Sequence, residues 1–254
     1  MSLFFVHWIM DSKQRFSDRV EDYVKYRPGY PAAVLSVLGL RADQVVADIG
    51  SGTGISTELF LRAGNRVFAV EPNDDMRAKA EELLTHYPGF VSVKGTAEAT
   101  GLDAGSVDLI VAGQAFHWFD PVGARQEFVR IARPGARVAL IWNERLMETP
   151  FEADYEELIL QYAGDYKTIN HKNIAEVQIG EFFHPADFVL DLFDNGQDFD
   201  FDGLKGRLLS SSYIPKEGPR YVAMIGALRE LFHRYASGGK VRVRYVTKVY
   251  WGVL

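Results

Sequence analysis

Residues 45–54 read Val-Val-Ala-Asp-Ile-Gly-Ser-Gly-Thr-Gly. Val45–Ile49 is short and apolar, the length of a buried strand, and Gly50–Gly54 follows it as a turn. A helix is predicted from Ile55 to Ala63. Glycines at a strand-to-helix turn let the backbone bend tightly and approach a ligand closely. The helix start then offers unpaired N–H groups to a ligand. Such turns, at the carboxyl edge of an open sheet, are where these folds bind cofactors. A glycine turn needed only for packing is the alternative.

The same alternation continues along the chain. Strands are predicted at Arg66–Val70, Phe90–Lys94, Val107–Ala112 and Ala136–Trp142, the last after the turn signal Arg133-Pro-Gly135. Helices are predicted at Asp74–His86 and from Asp120-Pro121 to Ala132, where aspartate suits the N-cap and proline the first helical position. Five apolar strands alternating with helices predict an α/β fold, a doubly wound, mostly parallel sheet covered on both faces. Upstream, Phe16–Tyr26 and Ala32–Leu38 have helical spacing and flank the stop Arg27-Pro-Gly-Tyr-Pro31. Downstream, helices are predicted at Phe151–Tyr162, Leu204–Ser212 and Gly218–Tyr235. Strands are predicted at Phe188–Phe193, with an extension toward Phe199, and at Val241–Val253, while Gly164–Pro185 reads as polar and irregular. With no internal repeat or low-complexity linker, residues 1–254 read as one domain. Its parts are lid helices in 12–40, a cofactor-binding core in 41–148, and substrate cover and final strands in 149–254.

The balance of 28 basic and 34 acidic residues gives a net charge of −6, which disfavours a nucleic-acid backbone as partner. Cysteine is absent, which excludes disulfides, thiolate metal sites and a cysteine nucleophile, and agrees with a reducing, cytoplasmic setting. Met1–Met10 is apolar but lacks the basic start of a signal peptide and the length of a membrane span. It reads as an upstream extension before a start at Met10, or as an arm packing on its own domain or a second subunit. The six histidines show no metal-ligand spacing, and neither a phosphate-loop lysine nor a serine nucleophile elbow is present.

Two cofactor classes compete for the glycine turn. The dinucleotide fingerprint is G-x-G-x-x-G. Here the spacing is G-x-G-x-G, with Ile55 where the third glycine would be required. Asp48 just before Gly50 would repel a pyrophosphate and attract the α-ammonium of a methionine moiety. Glu71, ending the second strand, suits both hydroxyls of a ribose, a placement NAD enzymes share.

These residues carry a family resemblance that covers about Phe16 to Leu254. Val45–Gly54 is similar to the first motif of the class I S-adenosylmethionine-dependent methyltransferases of small-molecule type, and Ala69-Val-Glu-Pro-Asn73 resembles the second. Gly95-Thr-Ala-Glu98 resembles the segment after the third strand, and Ala112–Phe119 the fourth motif. Tyr23–Pro31 and Ser210–Tyr213 resemble segments of a branch that includes proteins similar to trans-aconitate methyltransferase. The resemblance implies a Rossmann-like sheet of seven strands with the last antiparallel and with helical cover segments. It implies S-adenosylmethionine as cofactor and S-adenosylhomocysteine as product. Cofactor contacts are expected from Tyr23, Arg27, Asp48, Gly50, Ser51, Gly52, Gly54, Glu71, Pro72, Ala97, Glu98 and Gln114. Here Glu71 would take the ribose, Pro72, Ala97 and Glu98 the adenine, and Arg27 the methionine carboxylate. The acceptor pocket is expected at Tyr26, His117, Trp118, Ser212 and Tyr213.

A methyl on a sulfonium is already activated, so alignment and exclusion of water come first and a catalytic base is optional. His117 is the candidate catalytic residue, either as a base or as a positioning group beneath the site. The expected partner is a small-molecule acceptor, possessing in the branch's case a carboxylic acid, with no nucleic acid, membrane or metal, and with the chain a monomer or homodimer. A cofactor-binding regulator without transfer activity and an NAD-dependent oxidoreductase are the rival readings.

Overall fold

The computed structural model describes residues 20–163, 176–211 and 213–254, so Met1–Met10 and Ser212 lie outside the described residues. Seven strands form one sheet in the order β3-β2-β1-β4-β5-β7-β6. They are β1 (Val45–Ile49), β2 (Arg66–Val70), β3 (Phe90–Val93), β4 (Val107–Gly113), β5 (Ala132–Arg145), β6 (Phe188–Phe199) and β7 (Val241–Gly252). Neighbours from β3 to β5 run parallel, and β7 is antiparallel to both β5 and β6. The chain leaves β1 toward β2 and β3, then returns to place β4 on the other flank. The strand order therefore reverses between β1 and β4, and the crevice at their carboxyl ends is where such sheets bind ligands.

Alternating side chains build a core on each face. Ala47, Ile49, Ile110 and Leu140 pack under α5 (Pro121–Ile131) and α7 (Glu176–Phe183) through Phe128, Ile131, Phe182 and Phe183. Val46, Leu109, Val111 and Ile141 pack under α2 (Ala33–Leu38), α3 (Ile55–Arg62) and α4 (Asp74–Leu84). A third cluster joins α6 (Pro150–Tyr162), α8 (Phe201–Leu209) and α9 (Gly218–Tyr235) to Val241, Val243 and Tyr245 of β7. The first helix, α1 (Val20–Tyr26), lies on α8, where a Cβ on Gly206 would fall 2.0 Å from the Tyr26 ring.

Most predicted elements stand within a residue or two of their expected ends; α8 lies three residues before the predicted Leu204–Ser212, the predicted start at Phe16 lies outside the described residues, and two elements differ in kind or extent. The stretch read as irregular, Gly164–Pro185, contains α7, whose Ile179, Phe182 and Phe183 are buried at helical spacing. Its apolar face is too short to stand out beside the polar segment before it. β5 begins at Ala132, before the signal read as a turn. The register jumps from Val107↔Ala132 to Leu109↔Arg137, so Arg133-Pro-Gly135 is taken up as an irregularity in the strand, with Gly135 at φ +80. Among the described residues no helix is long and apolar enough to cross a membrane, and no cluster of His, Asp or Glu is arranged to hold a metal.

Glu127 of α5 fixes the segment after β3. Its carboxylate accepts from Thr100 N at 2.9 Å and Thr100 Oγ1 at 2.6 Å, and from Arg130 Nε at 2.7 Å. The Arg130 guanidinium holds the Glu127 carboxyl at about 2, below its ordinary range. This stability is present above the unfolded carboxyl's pKa of 4.5 and is lost as pH falls toward 2. Glu127→Gln is expected to cost roughly 1.5–3 kcal/mol at pH 7 and to shrink the loss of stability between pH 4.5 and 2, measured by urea denaturation.

Candidate active site

The glycine loop leaves β1 and is tied to β2 by Gly50 N and Ser51 N, which both donate to Val70 O at 2.9 and 3.1 Å. Gly50, Gly52 and Gly54 have φ of +69, +57 and +89, the left-handed region. Two of them are closed in by protein. A Cβ on Gly50 would lie 2.7 Å from Ala115 Cβ, and one on Gly54 would lie 2.3 Å from Leu84 Cδ1. A Cβ on Gly52 would meet nothing within 4 Å, so the loop is open at its middle glycine.

Glu71 sets the height of that opening. Its Oε2 accepts from Gly52 N at 2.9 Å and its Oε1 from Asn73 N at 2.8 Å. A carboxylate oxygen takes two hydrogen bonds, so each keeps one lone pair for a further donor. Only 8% of Glu71 is exposed, and burial raises its pKa. Asp48 is fully buried beneath the loop and accepts at Oδ2 from Ser56 Oγ and Thr57 Oγ1, both at 2.6 Å. Burial pushes its pKa up to about 6. Asp48 Oδ1, Ser51 Oγ and Thr53 Oγ1 are buried with no partner among the described residues.

The turn Arg27-Pro-Gly-Tyr-Pro31 folds over this edge and is fastened by residues the sequence reading did not select. Asn143 Nδ2 donates to Gly29 O at 3.2 Å, and Asn195 Nδ2 donates to the same carbonyl at 2.8 Å. Asn143 Oδ1 accepts from Thr247 Oγ1 at 2.5 Å and from Asn195 at 3.1 Å. Tyr30 then reaches the end of β4, where a Cβ on Gly113 would lie 2.7 Å from its hydroxyl and 3.2 Å from Ser56 Cβ. Asn143, Asn195 and Thr247 are ordinary polar residues of strands that carry several, so the sequence marks none of them out.

The predicted residues divide. Pro72 is half-buried beside Glu71, and Ala97 is buried. Glu98 accepts from Asp120 N at 2.9 Å and so caps the following element. Gln114 has φ +58, donates its backbone N–H to Ile141 O at 2.8 Å, and donates Nε2 to Asn143 O at 3.1 Å. It leads into a 3-10 turn, Phe116–Trp118, in which the His117 and Trp118 rings lie 4.8 Å apart. Burial lowers the His117 pKa to about 4. Arg27 donates to Ser210 O at 3.1 Å and Ser211 Oγ at 3.5 Å, which joins the two segments of the branch resemblance across 183 positions. Tyr26 packs on Gly206 and Tyr213 on the helical cover cluster, which places both in that cluster. The side chain of Tyr23 lies outside the described residues.

The contrast between loop glycines is testable in stability. Gly54→Ala forces a methyl group onto Leu84 in a left-handed backbone and is expected to cost roughly 2–4 kcal/mol in urea denaturation. Gly52→Ala meets open space and should cost only about 1–2 kcal/mol of backbone strain.

Residues 47–140 match a family described as a methyltransferase domain. An uncharacterized methyltransferase of Mycobacterium tuberculosis (strain H37Rv) is 38% identical over 135 residues, 53% of this chain and 54% of that one. One of Schizosaccharomyces pombe is 28% identical over 154 residues, 59% of this chain and 60% of that one. The chain thus spans about half the length of the curated relatives it matches. A solved structure of a candidate type II methyltransferase from Anaeromyxobacter dehalogenans shares the fold, with a TM-score of 0.67 at 24% identity over 90% of this chain and 98% of that one. The glycine loop, Glu71 and β4 all fall inside the matched segment, and the sheet around them has the order and the antiparallel β7 expected of the fold: the chain has the Rossmann-like methyltransferase fold and resembles a methyltransferase domain over residues 47–140.

Proposed function

We propose that this chain transfers a methyl group from S-adenosylmethionine to a small-molecule acceptor, with a carboxylic acid as the class that the branch resemblance implies. The observation that carries the reading is the set of unmet polar groups around an open glycine: Asp48 Oδ1, Ser51 Oγ and Thr53 Oγ1 beside Gly52. A buried polar atom without a partner costs roughly 1–3 kcal/mol, so three together at one loop imply a ligand that meets them. The groups fit this cofactor. A carboxyl and two hydroxyls suit an α-ammonium and its carboxylate, the spare lone pairs of Glu71 suit vicinal ribose hydroxyls, and Pro72 and Ala97 offer apolar surface to adenine. A pyrophosphate fits poorly, since two buried carboxyls, Asp48 and Glu71, already repel each other here.

When bound, S-adenosylmethionine supplies a methyl group activated by its sulfonium. The chain's own residues then orient and enclose. Gln114 holds a backbone conformation that costs about 1–3 kcal/mol, and its two bonds to β5 maintain it. That bend carries His117 and Trp118 onto the sheet edge. His117 is neutral at physiological pH, and a conjugate acid near 4 makes it a weak base. Its role in this reading is to position groups at the edge.

In a melting assay, S-adenosylmethionine and S-adenosylhomocysteine are expected to raise Tm, because a ligand of the native state stabilises it by mass action. NAD and ATP should have little effect, and equal stabilisation by NAD would overturn the reading. With an acceptor in hand, His117→Gln should lower the transfer rate less than about tenfold and leave the pH profile between 6 and 8 unchanged, because the imidazole titrates near 4. A general base would instead show a loss of about 10²–10⁴ with the neutral limb gone.

A further inference from the structure

Arg207 lies on α8 three residues after Leu204 and one before Leu208, on the face that packs into the cover cluster. It is 7% exposed. Its Nε donates to the Tyr245 hydroxyl at 2.9 Å, and its Nη1 reaches Ser210 Oγ and Ser211 Oγ at 3.5 Å each. The Tyr245 ring lies 5.8 Å from the guanidinium carbon. Nη2 has no acceptor among the described residues, and no described carboxylate stands within ion-pair distance. The neighbouring Arg145 differs, since it is salt-bridged to Glu156 at 2.5 Å.

Taking a guanidinium out of water costs several kcal/mol unless a counter-charge meets it, and hydroxyls at 3.5 Å compensate poorly. The fork of a guanidinium matches the two oxygens of an oxyanion in a bidentate pair. The surroundings are those of a ligand site. Arg27 arrives on the same Ser211 hydroxyl, and the turn that follows it ends with Tyr30 on Gly113, at the carboxyl end of β4. Tyr245, on which Arg207 rests, also lines a cavity of about 660 Å³ together with Gly29, Tyr30, Asn195 and Gln197.

We propose that Arg207 is the anion-recognition residue of the acceptor site, where the buried guanidinium, with the hydroxyls of Ser210 and Ser211 beside it, binds an oxyanion of the small molecule to be methylated. This inference rests on the methyltransferase reading and adds to it a residue and a required charge on the acceptor. A carboxylate and a phosphate share the chemistry, and the test separates them.

The experiment is calorimetric titration of the protein loaded with S-adenosylhomocysteine. The probes are small mono-, di- and tricarboxylic acids, their amides, and inorganic phosphate. At least one carboxylate is expected to bind with a Kd below about 1 mM while its amide does not, as a charge-assisted pair requires. Arg207→Met should weaken that binding by about thirtyfold or more, while Tm stays level or rises because an apolar side chain replaces a buried unpaired charge. Arg207→Lys keeps the charge without the fork, should weaken binding by a smaller factor, and carries the comparison if the methionine variant does not fold. Binding of phosphate in place of carboxylates, with the same dependence on Arg207, supports the site with a phosphorylated acceptor. Binding unchanged in the Arg207 variants, or no oxyanion bound by the loaded wild type, overturns the inference. Binding of S-adenosylhomocysteine is measured first: its failure sinks the methyltransferase reading itself, whereas its success with no anion bound sinks only the role of Arg207.

Discussion

One carboxylate holds the edge of the sheet in order. Glu71 accepts the N–H of Gly52 with one oxygen and that of Asn73 with the other, so the loop after β1 and the cap of α4 share a single clamp. The loop's left-handed glycines have no stiffness of their own, and the clamp supplies it. Because Asp48 lies beneath the same loop, the arrangement also places two acids close together in a region with little water. Burial raises both pKa values, and the charge of Asp48 adds a smaller upward push on Glu71. A cation placed there would relieve the repulsion on Glu71 as well as make contacts.

The other side of the edge has the opposite balance. Arg27 and Arg207 converge on Ser211 from two segments separated by most of the chain. The end of β4 meets Tyr30, and the bent Gln114 and the His117-Trp118 pair follow it in the chain. A transfer that moves one carbon between two bound molecules needs them fixed in direction more than it needs a strong acid or base. Opposed charges at the two ends of a partly enclosed edge are a means of fixing direction.

Much of this was legible in the sequence where the signal is local. Val45–Gly54 announces both a strand and a glycine turn, since the apolar run and the glycine spacing lie within ten residues. Asp120-Pro121 announces a helix start, and Asp120 does cap it. Local reading failed where the determinant is a partner distant in sequence. Arg133-Pro-Gly135 looks like a turn, yet pairing with β4 draws β5 back to Ala132. The contact of Arg27 with the end of α8, 183 positions away, has no local sign. Asn143, Asn195 and Thr247 each stand among other polar residues of their strands, and nothing local singles them out. Only the order β5-β7-β6 brings them together. Arg207 left a fainter trace, a cation at the helical spacing of Leu204 and Leu208 where an apolar residue was due.

The turn over the site is held by its main chain. The anchors at Gly29 are a carbonyl oxygen and two asparagine amides from the sheet. A carbonyl is common to every amino acid, so this part of the turn's address is independent of the side chains it displays. The part of the address that Asn143 and Asn195 set would survive exchange of Tyr26, Arg27 or Tyr30, whose own contacts with Gly206, Ser210 and Gly113 would be lost. Such a separation lets one scaffold diversify in what it accepts without relearning how to fold.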